Sequence, residues 1–211
     1  MTRRRNLLTA LGVTTLLVYL TTSTGLVEGD NKLILALAFG IGPMAIVGIL
    51  GLVERLGPHA SDRMTRLSRI FLVSAFVLFT LMVIVQQLTV MQFASLRAAA
   101  DPATAESLKL IFKGVNTLQL GIDVTFDLFY CIGVIVLASA MYRHPEFNRI
   151  VSIFGVMSAG ALLALNLYAF PNVPAESGLV DLGPVTGIWW LMVIAQVVRS
   201  RWRTRVDPLP A

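Results

Sequence analysis

The chain carries little charge. Asp, Glu, Lys and Arg make up 14% of its 211 residues, against about a quarter in a soluble domain. That scarcity excludes a soluble globular enzyme and a disordered tail. Cysteine is nearly absent: Cys131 stands alone, so no disulfide forms within the chain and a disulfide-rich secreted module is excluded. Histidine occurs twice, as His59 and His144, both in charged stretches between apolar runs. No Cys/His cluster has metal-ligand spacing, so no structural zinc, no internally ligated haem and no other cofactor is expected. Walker A loops, G-x-G-x-x-G turns and H-E-x-x-H helices do not occur.

Apolar residues supply 56% of the chain. A spanning helix needs about 20 mainly apolar residues. Six stretches meet or approach that length: 7–27, 33–53, 68–92, 116–141, 150–170 and 184–198. The expected fold is therefore all-α, a polytopic membrane bundle of six transmembrane helices forming one domain over 1–211. No loop is long enough to bury a core of its own.

The net charge of +5 does not point to nucleic acid, because the basic residues flank the apolar stretches. There they set topology and meet anionic headgroups. With both termini cytoplasmic, the inner segments 1–6, 54–67, 142–149 and 199–211, with Arg69, hold thirteen arginines, and the outer segments hold four Lys or Arg. The cell membrane, as a multi-pass protein, is the expected location, and the lipid bilayer the first partner. The first stretch also reads as a signal peptide: three arginines, a mainly apolar run of fourteen residues from Leu7 to Leu20, then Thr21-Thr22-Ser23-Thr24-Gly25. Arg4-Arg5-Asn6-Leu7-Leu8 resembles a twin-arginine signal. The tract lacks a good A-x-A-like cleavage site, so an uncleaved first helix is expected.

Pro43 inside the second stretch predicts a kink. Ala36/Gly40 and Ala38/Gly42 are small-xxx-small pairs, which let helix backbones approach closely, within the chain or against a protein partner or second copy. Asp101-Pro102 predicts a helix start, with Asp as N-cap and Pro at the first position. Leu108, Ile111, Phe112 and Val115 follow at helical spacing. Residues 102–115 should thus form an outer amphipathic segment, lying on the membrane or running straight into the fourth span.

The fourth span carries the most informative residues. A charged residue at the centre of a spanning helix costs about 2.5 to 3.5 kcal/mol on insertion scales, and it usually faces the bundle interior or a water-filled cavity. Asp123 and Asp127 are four apart and share a face. At roughly 100° per residue, Asn116, Gln119, Asp123, Asp127 and Tyr130 fall within an arc of about 80°. Counted from the inner ends of their spans, Gln86, Gln87, Asp123 and Asn166 reach similar depth. Asn116, Gln119, Asp123, Asp127, Tyr130, Gln86 and Asn166 are therefore the candidate ligand- or proton-binding residues. At least one carboxyl is expected to be protonated or to accept a hydrogen bond from Gln or Asn.

No catalytic residue is expected. Gly121-Ile122-Asp123 lacks the Gly-x-Gly-Asp pattern of intramembrane aspartyl proteases, and both carboxylates sit on one helix. Gly155-Val156-Met157-Ser158 has the wrong spacing for a rhomboid-like serine protease. Trp189-Trp190 could stack on a ligand, although packing within the bundle is the commoner use. Three functions stay open: a non-catalytic component binding a partner protein or lipid through small-residue faces and the basic tail 199–205; a small-molecule or ion transporter or sensor built on Asp123 and Asp127; and, after these, an intramembrane enzyme, which would need a converging nucleophile or metal site.

The stretch Met141-Tyr142-Arg143-His144-Pro145-Glu146-Phe147, followed by Gly155 and Gly160, resembles a connector found in uncharacterised bacterial six-helix integral membrane proteins. There a basic residue and a proline precede a Gly-rich helix. The resemblance spans about residues 116–200 and implies a bacterial inner membrane. It brings no catalytic residue with it. Here Glu-Phe-Asn separates the proline from Arg149, a departure from that pattern.

Overall fold

The computed structural model describes residues 32–57, 60–172, 174 and 177–206. The expected first span at 7–27, with Thr21 and Thr22, His59, and the side chains of 201–205 lie outside the described residues. Within them the chain is all-α, with five helices and no strand: α1 (Lys32–Leu56), α2 (Asp62–Ala98), α3 (Pro102–Met141), α4 (Arg149–Ala169) and α5 (Gly183–Val206). Four of these, α1 to α4, are long and apolar enough to cross a membrane. In α5 the apolar run stops at Arg199, and the last turns carry Arg199, Arg201, Arg203 and Arg205.

Helix ends follow local chemistry. Asp101 caps α3: its Oδ1 accepts from the amides of Ala103 (3.0 Å) and Thr104 (3.1 Å), and its Oδ2 accepts from the Thr104 hydroxyl at 2.6 Å. Pro102 begins the helix, where a missing amide hydrogen costs nothing. Asn148 caps α4 by accepting from the Ile150 amide at 2.9 Å. That helix ends just before Phe170-Pro171, since proline disfavours helical backbone in the residue before it. α1 runs unbroken through Pro43.

The longest elements are α2, 37 residues, and α3, 40 residues. They are joined by only 99–101 and pack along the most extensive interface of the fold. Residues 102–115 are the first turns of α3 itself, and α2 continues past Gln92 to Ala98. Hydropathy marks where a span stops being apolar. Backbone hydrogen bonding continues until something breaks it.

The core draws on all five helices, with Val53 and Leu56 of α1 among its most buried residues. Leu72, Val134, Leu137 and Met141 are fully buried, with Trp189 among them. Lipid tails are as apolar as leucine, so in a bilayer such a core is held by van der Waals packing and hydrogen bonds rather than by hydrophobic expulsion. Close backbone approach is correspondingly important. A Cβ on Gly42 would strike the Thr80 side chain and the Phe76 carbonyl, and one on Gly155 would strike the Trp189 indole and Ala138. The connection 142–148 is itself packed: His144 and Phe147 are buried, with ring centroids 5.3 Å apart.

Candidate functional site

The stripe on α3 divides in two. Its lower part, Asp123, Asp127 and Tyr130, lines a cavity of about 450 Å3 inside the bundle. Asn116 and Gln119 lie on the same face one to two turns further out and do not line it. Gln86 on α2 is exposed, and neither it nor Gln87 lines the cavity. Asn166 does, buried on α4, and its Nδ2 donates to Asp127 Oδ2 at 2.8 Å. The polar layer between α3 and α4 thus forms at Asp127, one turn from Asp123. Asp127 is fourteen residues from Met141, whereas Asn166 is seventeen from Arg149. Helices joined by a folded turn need not end at one level, and three residues of offset amount to about 4.5 Å.

Tyr130 is committed to structure. Trp190 Nε1 donates to its oxygen at 2.8 Å. The Tyr130 hydroxyl donates to Thr186 Oγ1 at 3.2 Å, which donates in turn to the Gly183 carbonyl at 2.8 Å. This directional chain ties α3 to the start of α5 and uses each donor once. Trp189 has a different role from its neighbour: it is fully buried, and its Nε1 donates to the Val151 carbonyl at 2.9 Å. Trp189 packs the core, while Trp190 faces the cavity.

The cavity exists because α1 and α5 make no close backbone approach to each other. Ile41, Ala45, Ile49 and Leu52 of α1 form one wall, and Trp190, Val193 and Val197 of α5 form another. Aromatic rings close the α2–α3 side. Phe76 meets Phe126 and Tyr130 edge-on, both at 6.3 Å, and Phe79 meets Phe126 at 5.4 Å. Asp181, in the segment before α5, is exposed and also lines the cavity, so the cavity reaches the surface there. Its Oδ1 accepts from the Gly183 amide at 2.8 Å. Asp123 has no hydrogen-bond partner among the described residues.

At the opposite, arginine-bearing end the deepest lining residues are Leu52 and Val197. One turn beyond Leu52, the largely buried Arg55 pairs through Nε with Glu146. Its Nη2 donates to Ser200 Oγ at 2.7 Å. A single guanidinium therefore joins α1, the α3–α4 connection and α5 at the point where the cavity ends.

Several of these residues escape sequence reasoning. Asp181 sits in an irregular segment with no periodicity to place it. Arg55 and Glu146 are 91 positions apart, and each reads locally as an ordinary charge at a helix end. For the α1 wall, the pairs Ala36/Gly40 and Ala38/Gly42 point to helix packing but not to a cavity. No family model matches this chain, and no curated protein or solved structure matches it either.

Proposed function

We propose that this chain is a bacterial inner-membrane protein of six spans, with both ends cytoplasmic, that binds a small molecule in its cavity as a transporter or sensor. The observation that carries this reading is the placement of Asp123 and Asp127 on the wall of one cavity that reaches the surface at Asp181. Intramembrane carboxylates are expensive, and they are retained where they meet water, ions or ligand. The four apolar helices support the membrane setting. The cap at Arg55 supports a site reached from one end at a time, as a transporter or sensor requires.

The test is water access. Gly187 lines the cavity, and a Cβ there meets nothing within 4 Å, so Gly187→Cys introduces a thiol without a clash. Native Cys131 is fully buried and serves as the internal blank. In lipid nanodiscs a polar, water-soluble maleimide should label Gly187→Cys. Gly160→Cys is the reference, since a Cβ there also meets nothing within 4 Å and Gly160 is not a cavity-lining residue. Labelling of Gly187→Cys no faster than Gly160→Cys ends this reading.

A second reading, a non-catalytic component that docks a partner helix, has one observation in its favour. Gly114 and Gly121 lie two turns apart on an exposed face of α3, with open space over both. Crosslinking from Gly121→Cys to a second polypeptide would favour it.

A further inference from the structure

The cavity is lopsided in its chemistry. Its walls are mostly carbon, with five aromatic rings (Phe76, Phe79, Phe126, Tyr130 and Trp190). Its polar groups are unbalanced. One N–H of the Asn166 amide is used on Asp127, the Trp190 N–H on Tyr130, and the Tyr130 and Thr186 hydroxyls on their own acceptors. Acceptors remain on Asp123, on Asp127 and on Asp181. No lysine, arginine or histidine among the described residues lines the cavity. An occupant must therefore bring hydrogen-bond donors and positive charge to one side and apolar bulk to the other.

We infer that the cavity takes a lipophilic amine, a compound with a protonated nitrogen bearing N–H groups and an apolar body of one or two rings. This rests on the cavity being a ligand site. The ammonium would sit between Asp123 and Asp127, one helical turn apart, where each N–H can meet a carboxylate oxygen in a charge-assisted hydrogen bond. The rings of Phe126 and Trp190 add the attraction of an aromatic face for a cation. Other classes fit less well. A bare divalent cation seeks six or more oxygen ligands, and this lining is carbon-rich. An anion would face three carboxylates. A neutral apolar compound would leave the carboxylates unpaired in a half-buried site. A volume of about 450 Å3 lies within the range of small-molecule sites and has room for a two-ring compound.

The experiment compares three probes of one shape on the wild-type chain in zwitterionic nanodiscs, by calorimetry with empty nanodiscs subtracted. They are 1-naphthylmethylamine, which is a cation at pH 7, the neutral 1-naphthylmethanol, and the anion 1-naphthoate. The amine should bind at least about tenfold tighter than the alcohol, and naphthoate should bind weakest. In Asp123→Asn/Asp127→Asn the amine's advantage should fall below about threefold while alcohol binding persists. If the double variant does not fold, Asp123→Asn alone serves, since Asp123 makes no hydrogen bond among the described residues that the change could break.

Equal binding of amine and alcohol, or a preference for naphthoate, overturns the amine assignment. So does an unchanged amine preference in the variants. If none of the probes binds, the amine assignment falls as well. Labelling of Gly187→Cys then separates a water-filled cavity of other specificity from failure of the ligand-site reading itself.

Discussion

The Asn166 amide donates to the Asp127 carboxylate at 2.8 Å, joining α4 to α3 inside the bundle. The two residues differ in what they can lose. Asn166→Leu removes the donor and leaves a carboxylate against an apolar wall. Asp127→Asn keeps an oxygen that accepts the same bond. In membrane proteins such bonds contribute about 0.6 to 2 kcal/mol. Asn166→Leu should therefore lower stability by about 1 to 2 kcal/mol, and Asp127→Asn should leave it unchanged or raise it. Unfolding in detergent, followed by circular dichroism, ranks the two variants. The reverse order would mean that the bond is not what holds these helices together.

Gly155 is where α4 presses onto Trp189 and Ala138. Substitution by Val forces the buried indole out of place and strains its bond to the Val151 carbonyl. A loss of about 1 to 3 kcal/mol is expected, the usual cost of overpacking. Gly160, on the same helix, has no atom within 4 Å of its would-be Cβ, and Gly160→Ala should change stability by less than about 0.5 kcal/mol. Comparable losses at both positions would contradict the packing described for α4.

Arg55 holds Glu146 and Ser200 together from a site in which its own side chain is 9% exposed. Removing Glu146 leaves the largely buried guanidinium without its carboxylate, so Glu146→Gln should cost about 1 to 3 kcal/mol. Arg55→Gln leaves a carboxylate that is 32% exposed and can be hydrated, so it should cost less. The double variant should cost less than the sum of the two. A double-mutant cycle on thermal unfolding measures the difference. A coupling near zero would show that the pair does not act as a unit.

Asp101 supplies a pH dependence. The Thr104 hydroxyl, and after it the Thr104 amide, hold its carboxyl below the usual range. A depressed carboxyl stabilises the fold above its unfolded pKa, and that contribution fades as pH falls through the folded value. The first turn of α3 should therefore be fully capped at neutral pH and fray below about pH 4. Amide exchange at Ala103 and Thr104 reads this directly, after correction for intrinsic rates. Protection should drop with acid in the wild type and be low at every pH in Asp101→Ala. Protection that is flat with pH in the wild type would remove the capping role.

Much of the helical layout was legible in the sequence, because hydropathy and local capping are short-range signals. Asp101-Pro102 marked the start of α3 to the residue. The stripe from Asn116 to Tyr130 placed its residues on one helical face by spacing alone. What could not be read depends on how helices sit against each other. Asn166 meets Asp127 rather than Asp123 because the ends of α3 and α4 are offset. The division of labour between Trp189 and Trp190 depends on which side of α5 meets α4. Arg55 and Glu146 meet only after four helices have been placed. The continuation of α2 to Ala98 was hidden because Gln92, Ser95 and Arg97 end the apolar run without interrupting the backbone.

The unequal lengths of the helices have a practical consequence. At about 1.5 Å per residue α2 and α3 extend some 55 to 60 Å, whereas α4 extends about 31 Å. A hydrocarbon layer is about 30 Å thick. If α4 fits that layer, the α2–α3 hairpin stands out of it like a mast, with Ala99, Ala100 and Asp101 at its top. A peptide tag or protease site inserted at Ala99-Ala100 would clear the headgroups and disturb only the last turn of α2, where the Ala100 amide donates to the Arg97 carbonyl. Probed from either face of a sealed vesicle, it would report on which side of the bilayer the mast is raised.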